Sequence, residues 1–265
     1  MGSCHFTKFC VFCQIDGCKS TIRCFGLMVV KKPLKRWLGN VADDWMDFAF
    51  PRECVCCGDL LLRSEMEVCW VCYAQLPFSV HAFGLHNPVA KSLWGRIPVY
   101  GGYYLLNYQA KTMTSKILKS LKYDGGVIMA HRLGELMGEE LKKQGFHLQC
   151  DGLIPVPMHP KKELKRGYNP AKLIARGIAE SLGVSMIENA LIKRNATVSQ
   201  TKKNRLERWY QTQHDFDVTS VGEGLRHVAL VDDVFTTGAT AERCLRSLYS
   251  AGVERASVLS LAFTV

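Results

Sequence analysis

Two stretches of the chain hold residue types that can do chemistry. The first reads Val228-Ala-Leu-Val-Asp232-Asp233-Val-Phe-Thr236-Thr237-Gly238-Ala239-Thr240. An apolar strand runs into two adjacent carboxylates, then into a turn rich in hydroxyls, then into a helix. Ligands of parallel α/β sheets bind beyond the carboxyl ends of strands, and the free amides of a helix start receive phosphate. Thr236, Thr237 and Thr240 add hydroxyl donors, while Gly238 permits close backbone approach. This half of the motif suits a phosphate. Asp232 and Asp233 repel one, so they must face hydroxyls, a cation or both; a phosphorylated sugar satisfies both halves. Neighbouring strand residues point to opposite faces unless the backbone turns, which the strand end allows. A Walker loop is excluded because no Lys-Ser/Thr pair follows the glycine, and a dinucleotide fingerprint because G-x-G-x-x-G is absent. The competing interpretation, an ordinary polar loop with one aspartate capping, accounts for only one acidic residue and one hydroxyl.

The second stretch is Cys54-Val-Cys56-Cys57-Gly58 followed by Cys69-Trp70-Val71-Cys72. Each knuckle aims two thiolates at one point, and together they close a tetrahedral four-sulfur site. Cys54, Cys57, Cys69 and Cys72 are the expected ligands, with Cys56 left over. Four protein ligands leave no open position, so one structural Zn2+ per chain is expected, stabilising a segment with little apolar material of its own. Cys10 and Cys13 form one further knuckle, but Cys18 and Cys24 stand singly; a second metal and an irregular tail both remain open for them. Cys150 and Cys244 are expected to be core thiols.

The elements that must position these residues follow from periodicity. Leu34, Trp37, Leu38, Val41, Trp45 and Phe48 recur at helical spacing. A Gly- and Pro-containing connector covers roughly 81–98, Val99–Leu106 is a strand or hairpin edge, and Thr114–Leu121 is a helix. Val127–Lys143 is a helix with Leu133, Leu136, Met137 and Leu141 on one stripe. Gly152–Pro157 is a short buried strand entering a rigid bend. Asn169 and Pro170 cap a helix to about Leu182. Val228–Val231 is a strand, Thr240–Ala251 a helix and Arg255–Thr264 a last strand. Strand and crossover helix alternating in this way give an α/β fold with a mostly parallel sheet. The expected organisation is a tail or over-extended start over 1–27, an amphipathic helix over 28–49, a Cys4 zinc module over 50–78, a connector over 79–98 and the main domain over 99–265.

Composition is that of an ordinary globular chain, 48% hydrophobic and 22% charged. The net charge is +10, and between Lys161 and Arg208 twelve basic residues stand against four acidic ones. A polyanion or a phosphate-rich small molecule is the implied partner, a solvated basic face the alternative. No apolar run approaches the roughly 20 residues a bilayer crossing needs, so a cytoplasmic location with reduced thiols is expected.

The motifs together resemble the ComF (ComFC- and GntX-like) family, which joins a Cys4 module to a type I phosphoribosyltransferase domain and is associated with natural competence. The resemblance covers nearly everything from Met28 onward. It implies a type I phosphoribosyltransferase-like fold, a mostly parallel sheet flanked by helices with a hood. Leu230–Thr240 is similar to the superfamily's phosphoribosyl pyrophosphate (PRPP) motif, in which the acidic pair meets the ribose hydroxyls and the turn, Thr236, Thr237, Gly238, Ala239 and Thr240, holds the 5-phosphate. Ile154–Pro160 with Arg166-Gly167-Tyr168-Asn169 is similar to the family segment at the pyrophosphate loop, for which Lys161, Lys165 and Arg166 supply charge. Arg194, Thr197, Gln200, Arg205, Glu207 and Arg208 resemble the pattern of the hood, and Lys119 and Lys122 fit the family's lysine-containing helix end. Pro170, Lys202, Lys203 and Gln211 depart from the usual residues, none of them in the PRPP motif.

If the resemblance carries activity with it, the reaction is displacement of pyrophosphate from PRPP by a nitrogen nucleophile with Mg2+, Asp232 and Asp233 lying beside the sugar. No side chain stands out as the general base, so the acceptor is undefined. The alternatives are a non-enzymatic module binding single-stranded DNA, or a competence helicase or other uptake protein, and a regulator responding to PRPP or a nucleotide. Trp209 and Tyr210 beside the basic stretch could stack on bases.

Overall fold

Runs of small and branched apolar residues become the strands. In the computed structural model, β1 (Gly101–Tyr108), β2 (Gly152–Pro155), β3 (Ser185–Met186), β6 (His227–Phe235) and β7 (Arg255–Thr264) form one parallel sheet in the order β1-β7-β6-β2-β3. A second, antiparallel pair joins β4 (Leu191–Lys193) to β5 (Phe216–Val218). The structure describes residues 51–62, 64–65, 67–123, 126–193, 216–219 and 225–264. The expected tail, the helix over 28–49 and the hood residues Arg194, Arg205 and Arg208 lie outside them.

The helices are α1 (Trp70–Ala74), α2 (Pro88–Lys91), α3 (Met113–Ser120), α4 (Gly126–Lys143), α5 (Pro160–Arg166), α6 (Pro170–Leu182) and α7 (Ala239–Ser250). Asn169 caps α6 as its type demands, its side chain accepting from the Ala171 amide at 3.0 Å while Pro170 occupies the first turn. The same side chain donates to the Val156 carbonyl at 3.0 Å, tying the cap to the end of β2.

Alternation along β6 sorts its side chains between two cores. Ala229 and Val231 join the layer of α3, α4 and α6, whereas Val228 and Leu230 join that of α2 and α7. All four are fully buried; covering such a valine or leucine contributes about 1.5–3 kcal/mol each relative to exposure. On the first face α4 and α6 cross at glycines. A Cβ on Gly134 would lie 2.2 Å from the Ile174 carbonyl oxygen, and one on Gly177 would lie 2.1 Å from that of His131. Backbone therefore meets backbone there, and α6 is held close over β2 and β6. His131 adds a hydrogen bond to Glu180 at 3.0 Å across the same helix pair.

The outer edge of β1 is covered by the connector. Ser79 donates to the Leu105 carbonyl at 2.8 Å, Asn107 to that of Pro77 at 2.9 Å, and Gly84 and Gly102 exchange bonds of 3.1 Å. Such cover removes an open edge that would invite strand addition. At the amino end of the sheet, Asp151 accepts from the Arg226 and His227 amides at 2.9 and 2.8 Å. The His227 bond above all holds the Asp151 carboxyl below its usual range, while burial pushes His227 down. That polar cluster closes the amino end of the sheet.

Candidate functional site

Because all five strands are parallel, their carboxyl ends share one edge of the sheet. β6 extends four residues beyond the expected Val231, so Asp232 and Asp233 lie within its last turn of pleat rather than after it. Each carboxylate accepts the next residue's amide, Asp232 from Asp233 at 2.9 Å and Asp233 from Val234 at 2.8 Å. Asp232 keeps some exposure at the surface, yet its carboxyl is densely enclosed. Burial, and after it the charge of Asp233, push it well above the usual carboxylate range, with Lys193 on β4 pulling the other way. An acid so placed gains from any cation or hydroxyl donor that reaches it.

The turn that follows is built to offer amides. Gly238 sits at φ 73°, a left-handed conformation that favours glycine, and the Phe235 ring would lie 2.6 Å from any Cβ there. From it α7 starts with no side-chain cap, and the first helical amides have no acceptor within the helix. Thr237 Oγ1 approaches the Ala239 amide at 3.5 Å. Asp232, Thr236, Thr237, Gly238 and Thr240 line a small cavity of about 30 Å³. The arrangement matches what a compact anion needs: amides at the positive end of a helix, two exposed threonines, and a carboxylate pair to one side.

Arg96 was missed by sequence reasoning. Its guanidinium donates to the Thr237 carbonyl at 2.7 Å, to that of Ser92 at 3.2 Å and to Glu242 at 2.9 and 2.5 Å. Glu242 also receives Arg246 at 2.7 Å, and these two guanidinium groups, Arg246 first, hold its carboxyl below the usual range. The carbonyl side of the loop is thus fixed from outside, which leaves the amide side facing the cavity.

β2 neighbours β6, with Pro155 opposite Val231 and the Val156 amide donating to the Val231 carbonyl at 2.8 Å. The segment after β2 therefore leaves from the same edge as the threonine turn. It forms α5, a short helix that the proline bend had not foretold, capped by His159 accepting from Lys161 at 3.2 Å. Lys161 and Lys165 are exposed and Arg166 half-buried. Tyr168 then donates towards the carbonyls of Leu121 at 3.0 Å and Tyr123 at 2.6 Å, bringing together the Arg166–Asn169 motif and the helix end that carries Lys119 and Lys122. β4 and β5 pair Lys193 with Phe216, the two residues flanking 194–215.

The expected cysteines meet as well. The Sγ atoms of Cys54, Cys57, Cys69 and Cys72 all lie within 4.8 Å of one another, Cys57 and Cys69 at 3.7 Å. Zn–S bonds of about 2.3 Å in a tetrahedron put sulfurs about 3.8 Å apart, so the group could hold a metal such as zinc. Amides point at two of the sulfurs, Cys69 N at Cys54 Sγ (3.3 Å) and Cys72 N at Cys69 Sγ (3.5 Å). At Cys54, burial opposes ionisation, but the amides of Cys69, Cys57 and Cys56 bring the thiol down to about 6. Cys56 is not in the group. It is buried, and its carbonyl accepts from Lys116 on α3.

Relatives of known name share this chain's sequence. It is 28% identical to competence protein ComFC of Streptococcus pneumoniae over 140 residues, 53% of this chain and 59% of that one. With competence protein F of Haemophilus influenzae the identity is 32% over 114 residues, 42% of this chain and 50% of that one. These matches, over about half of the chain, support a ComF-family reading. With DNA utilization protein YhgH of Salmonella typhimurium the identity is 26% over 155 residues, 57% of this chain and 67% of that one. The matched segment spans little more than half the length of the first two relatives. No protein-family model matches the chain. Among solved structures, glutamine PRPP amidotransferase from B. subtilis is similar at 25% identity and a TM-score of 0.36, covering 49% of this chain and 25% of that one. Among the described residues no helix is long and apolar enough to cross a membrane.

Proposed function

We propose that this protein, as a member of the ComF family, binds PRPP, or a related phosphorylated sugar, with Mg2+ and acts in the uptake or utilisation of DNA. The observation that carries the reading is the uncapped start of α7 beside the Asp232-Asp233 pair at the carboxyl edge of a parallel sheet. The turn from Thr236 to Thr240 would hold the 5-phosphate, and the acidic pair the ribose hydroxyls. Lys161, Lys165 and Arg166, leaving the neighbouring strand, would face the pyrophosphate, with Arg194, Arg205 and Arg208 of the hood joining them. The acidic pair also fits Mg2+, since a cation would relieve the enclosed Asp232. When bound, Mg2+ supplies charge neutralisation at the pyrophosphate.

Turnover, where an acceptor is present, breaks the bond from C1 to the pyrophosphate oxygen, which leaves with the electron pair, and forms a bond from C1 to the acceptor nitrogen, which then loses its proton. The chain's own contribution is positioning and electrostatics. The Cys4 group takes one structural zinc, with no position left for a reacting water.

Single-stranded DNA binding is a second reading, favoured by the basic stretch from Lys161 to Arg208. Calorimetry of PRPP with Mg2+ tests the first. Thr237→Val, which removes one donor at the helix start, should weaken binding about tenfold. Equal affinity for both proteins would remove the loop from the site. Consumption of PRPP when bases and amines are offered would make the protein an enzyme, and binding without consumption a binding or regulatory module.

A further inference from the structure

A groove of about 320 Å³ between the cysteine-rich segment and α4 lies away from the phosphate turn. Ile117 of α3 and Met129, Leu133 and Leu136 of α4 form one wall, Tyr73 and Leu76 the other. Trp70 stands beside it 59% exposed, edge-on to Tyr73 at 6.2 Å. An apolar groove with an exposed tryptophan at its lip marks a contact surface.

The rim says which partner it suits. The chain carries +10, yet among the described residues Glu65, Glu67, Glu135 and Glu139 line this groove against a single basic residue, Arg132. Arg132 is already paired with Glu135 at 2.8 Å. Glu65 is also spent: its carboxylate accepts the Trp70 and Leu62 amides at 2.8 and 2.7 Å, which fixes the segment presenting Trp70. Among the described residues Glu67 and Glu139 make no ion pair. They put negative charge on opposite walls of the groove in a molecule of the opposite sign. Met129, Arg132, Leu136 and Glu139 follow one another at helical spacing along α4, so the trough runs with the helix axis for about 15 Å. That length suits about three turns of a second helix laid alongside. The volume, at the lower end of ligand pockets of about 300–1,000 Å³, admits about two or three large apolar side chains.

We propose that this groove docks a basic amphipathic helix of a partner protein. Its apolar stripe fills the trough against Leu133, Leu136 and Tyr73 in the helix-in-groove mode. Its Lys and Arg residues meet Glu67 and Glu139. Recognition here is independent of the phosphate turn, which lies elsewhere on the sheet.

The probe is a synthetic helical peptide of about 14 residues with leucines at i, i+3, i+4 and i+7 and lysines elsewhere. A matched peptide carries glutamates in place of the lysines. Anisotropy with the full chain at low salt should show the lysine peptide binding at least about tenfold more tightly than its glutamate counterpart. Glu67→Lys combined with Glu139→Lys should reverse that preference without changing metal content or PRPP binding. Leu136→Asp should weaken both peptides. Binding should also shift tryptophan emission, and Trp70→Phe should abolish the shift while binding persists. Equal affinity for the two peptides, indifference to the double charge reversal, or a shift surviving in Trp70→Phe would each overturn the proposal.

Discussion

At Cys72 burial raises the thiol to about 11, whereas amide donors bring Cys54 down to about 6. The two thiols are thus shifted in opposite directions, and a divalent ion that binds all four sulfurs as thiolates couples to folding. Cys72→Ser should cut zinc from one per chain to a small fraction, and lower the melting temperature by about 5–10 °C, equivalent to roughly 2–3 kcal/mol at this size. Cys56→Ser should keep the metal, because its sulfur is not in the group. Mass spectrometry of the intact protein beside thermal unfolding measures both; a variant at Cys72 that retains its metal would show the ligand set to be wrong. These four cysteines could be chosen from spacing alone because two knuckles carry their geometry within about twenty residues. The acidic pair was legible for the same reason, but the reach of β6 through Phe235 was not. Aspartates are poor strand formers by propensity, and here the pairing of Asp232 and Val234 with β7 prevails.

The turn after β6 is held by elements far from it in sequence. Arg96 follows α2, 141 residues before the Thr237 carbonyl it binds and 146 before Glu242. No local pattern around Gly95-Arg96-Ile97 could disclose this, since the arginine becomes meaningful only when α2 and α7 pack on the same face of the sheet. The guanidinium is partly exposed, 36% by side chain, so its ion pair contributes little to stability, at most about 1 kcal/mol. Its effect should fall on the loop instead. Arg96→Ala should weaken PRPP binding severalfold, about 1 kcal/mol, while moving the melting temperature by no more than about 3 °C. Arg96→Lys, keeping the charge but not the fork that spans Thr237 and Glu242, should recover only part of the affinity. Calorimetry beside thermal unfolding separates the two effects. An Arg96→Ala protein that melts much lower but binds normally would make the clamp purely structural. By contrast, the caps of α6 and the stripe of α4 were legible, because Asn169-Pro170 and Leu133, Met137 and Leu141 act within one element.

Charge is a property of the whole molecule, and it sets the last test. The excess of basic residues from Lys161 to Arg208 is larger than one small anion needs, since a sugar diphosphate engages only a few nearby cations. Part of it lies on α5, which follows the carboxyl end of β2 and on which Lys161 and Lys165 are exposed. Lys202 and Lys203 lie outside the described residues, and their place on any nucleic-acid track rests on sequence. If that track exists apart from the phosphate turn, the two ligands must respond to different substitutions. Charge reversal at Lys202 and Lys203 should lower single-stranded DNA affinity and leave PRPP binding largely intact. Asp233→Asn should impair the sugar ligand and spare or improve DNA binding, because it removes a repelling charge. Every DNA phosphate that is no longer neutralised should reduce the slope of log affinity against log salt by about 0.7, so removing two lysine charges would reduce it by about 1.4; reversal should do at least that. Band shifts at several salt concentrations, run beside PRPP titrations of both variants, measure these responses. Parallel losses of both ligands in both variants would mean one shared anion site, with the basic excess serving the phosphate turn and its hood rather than a separate path for DNA.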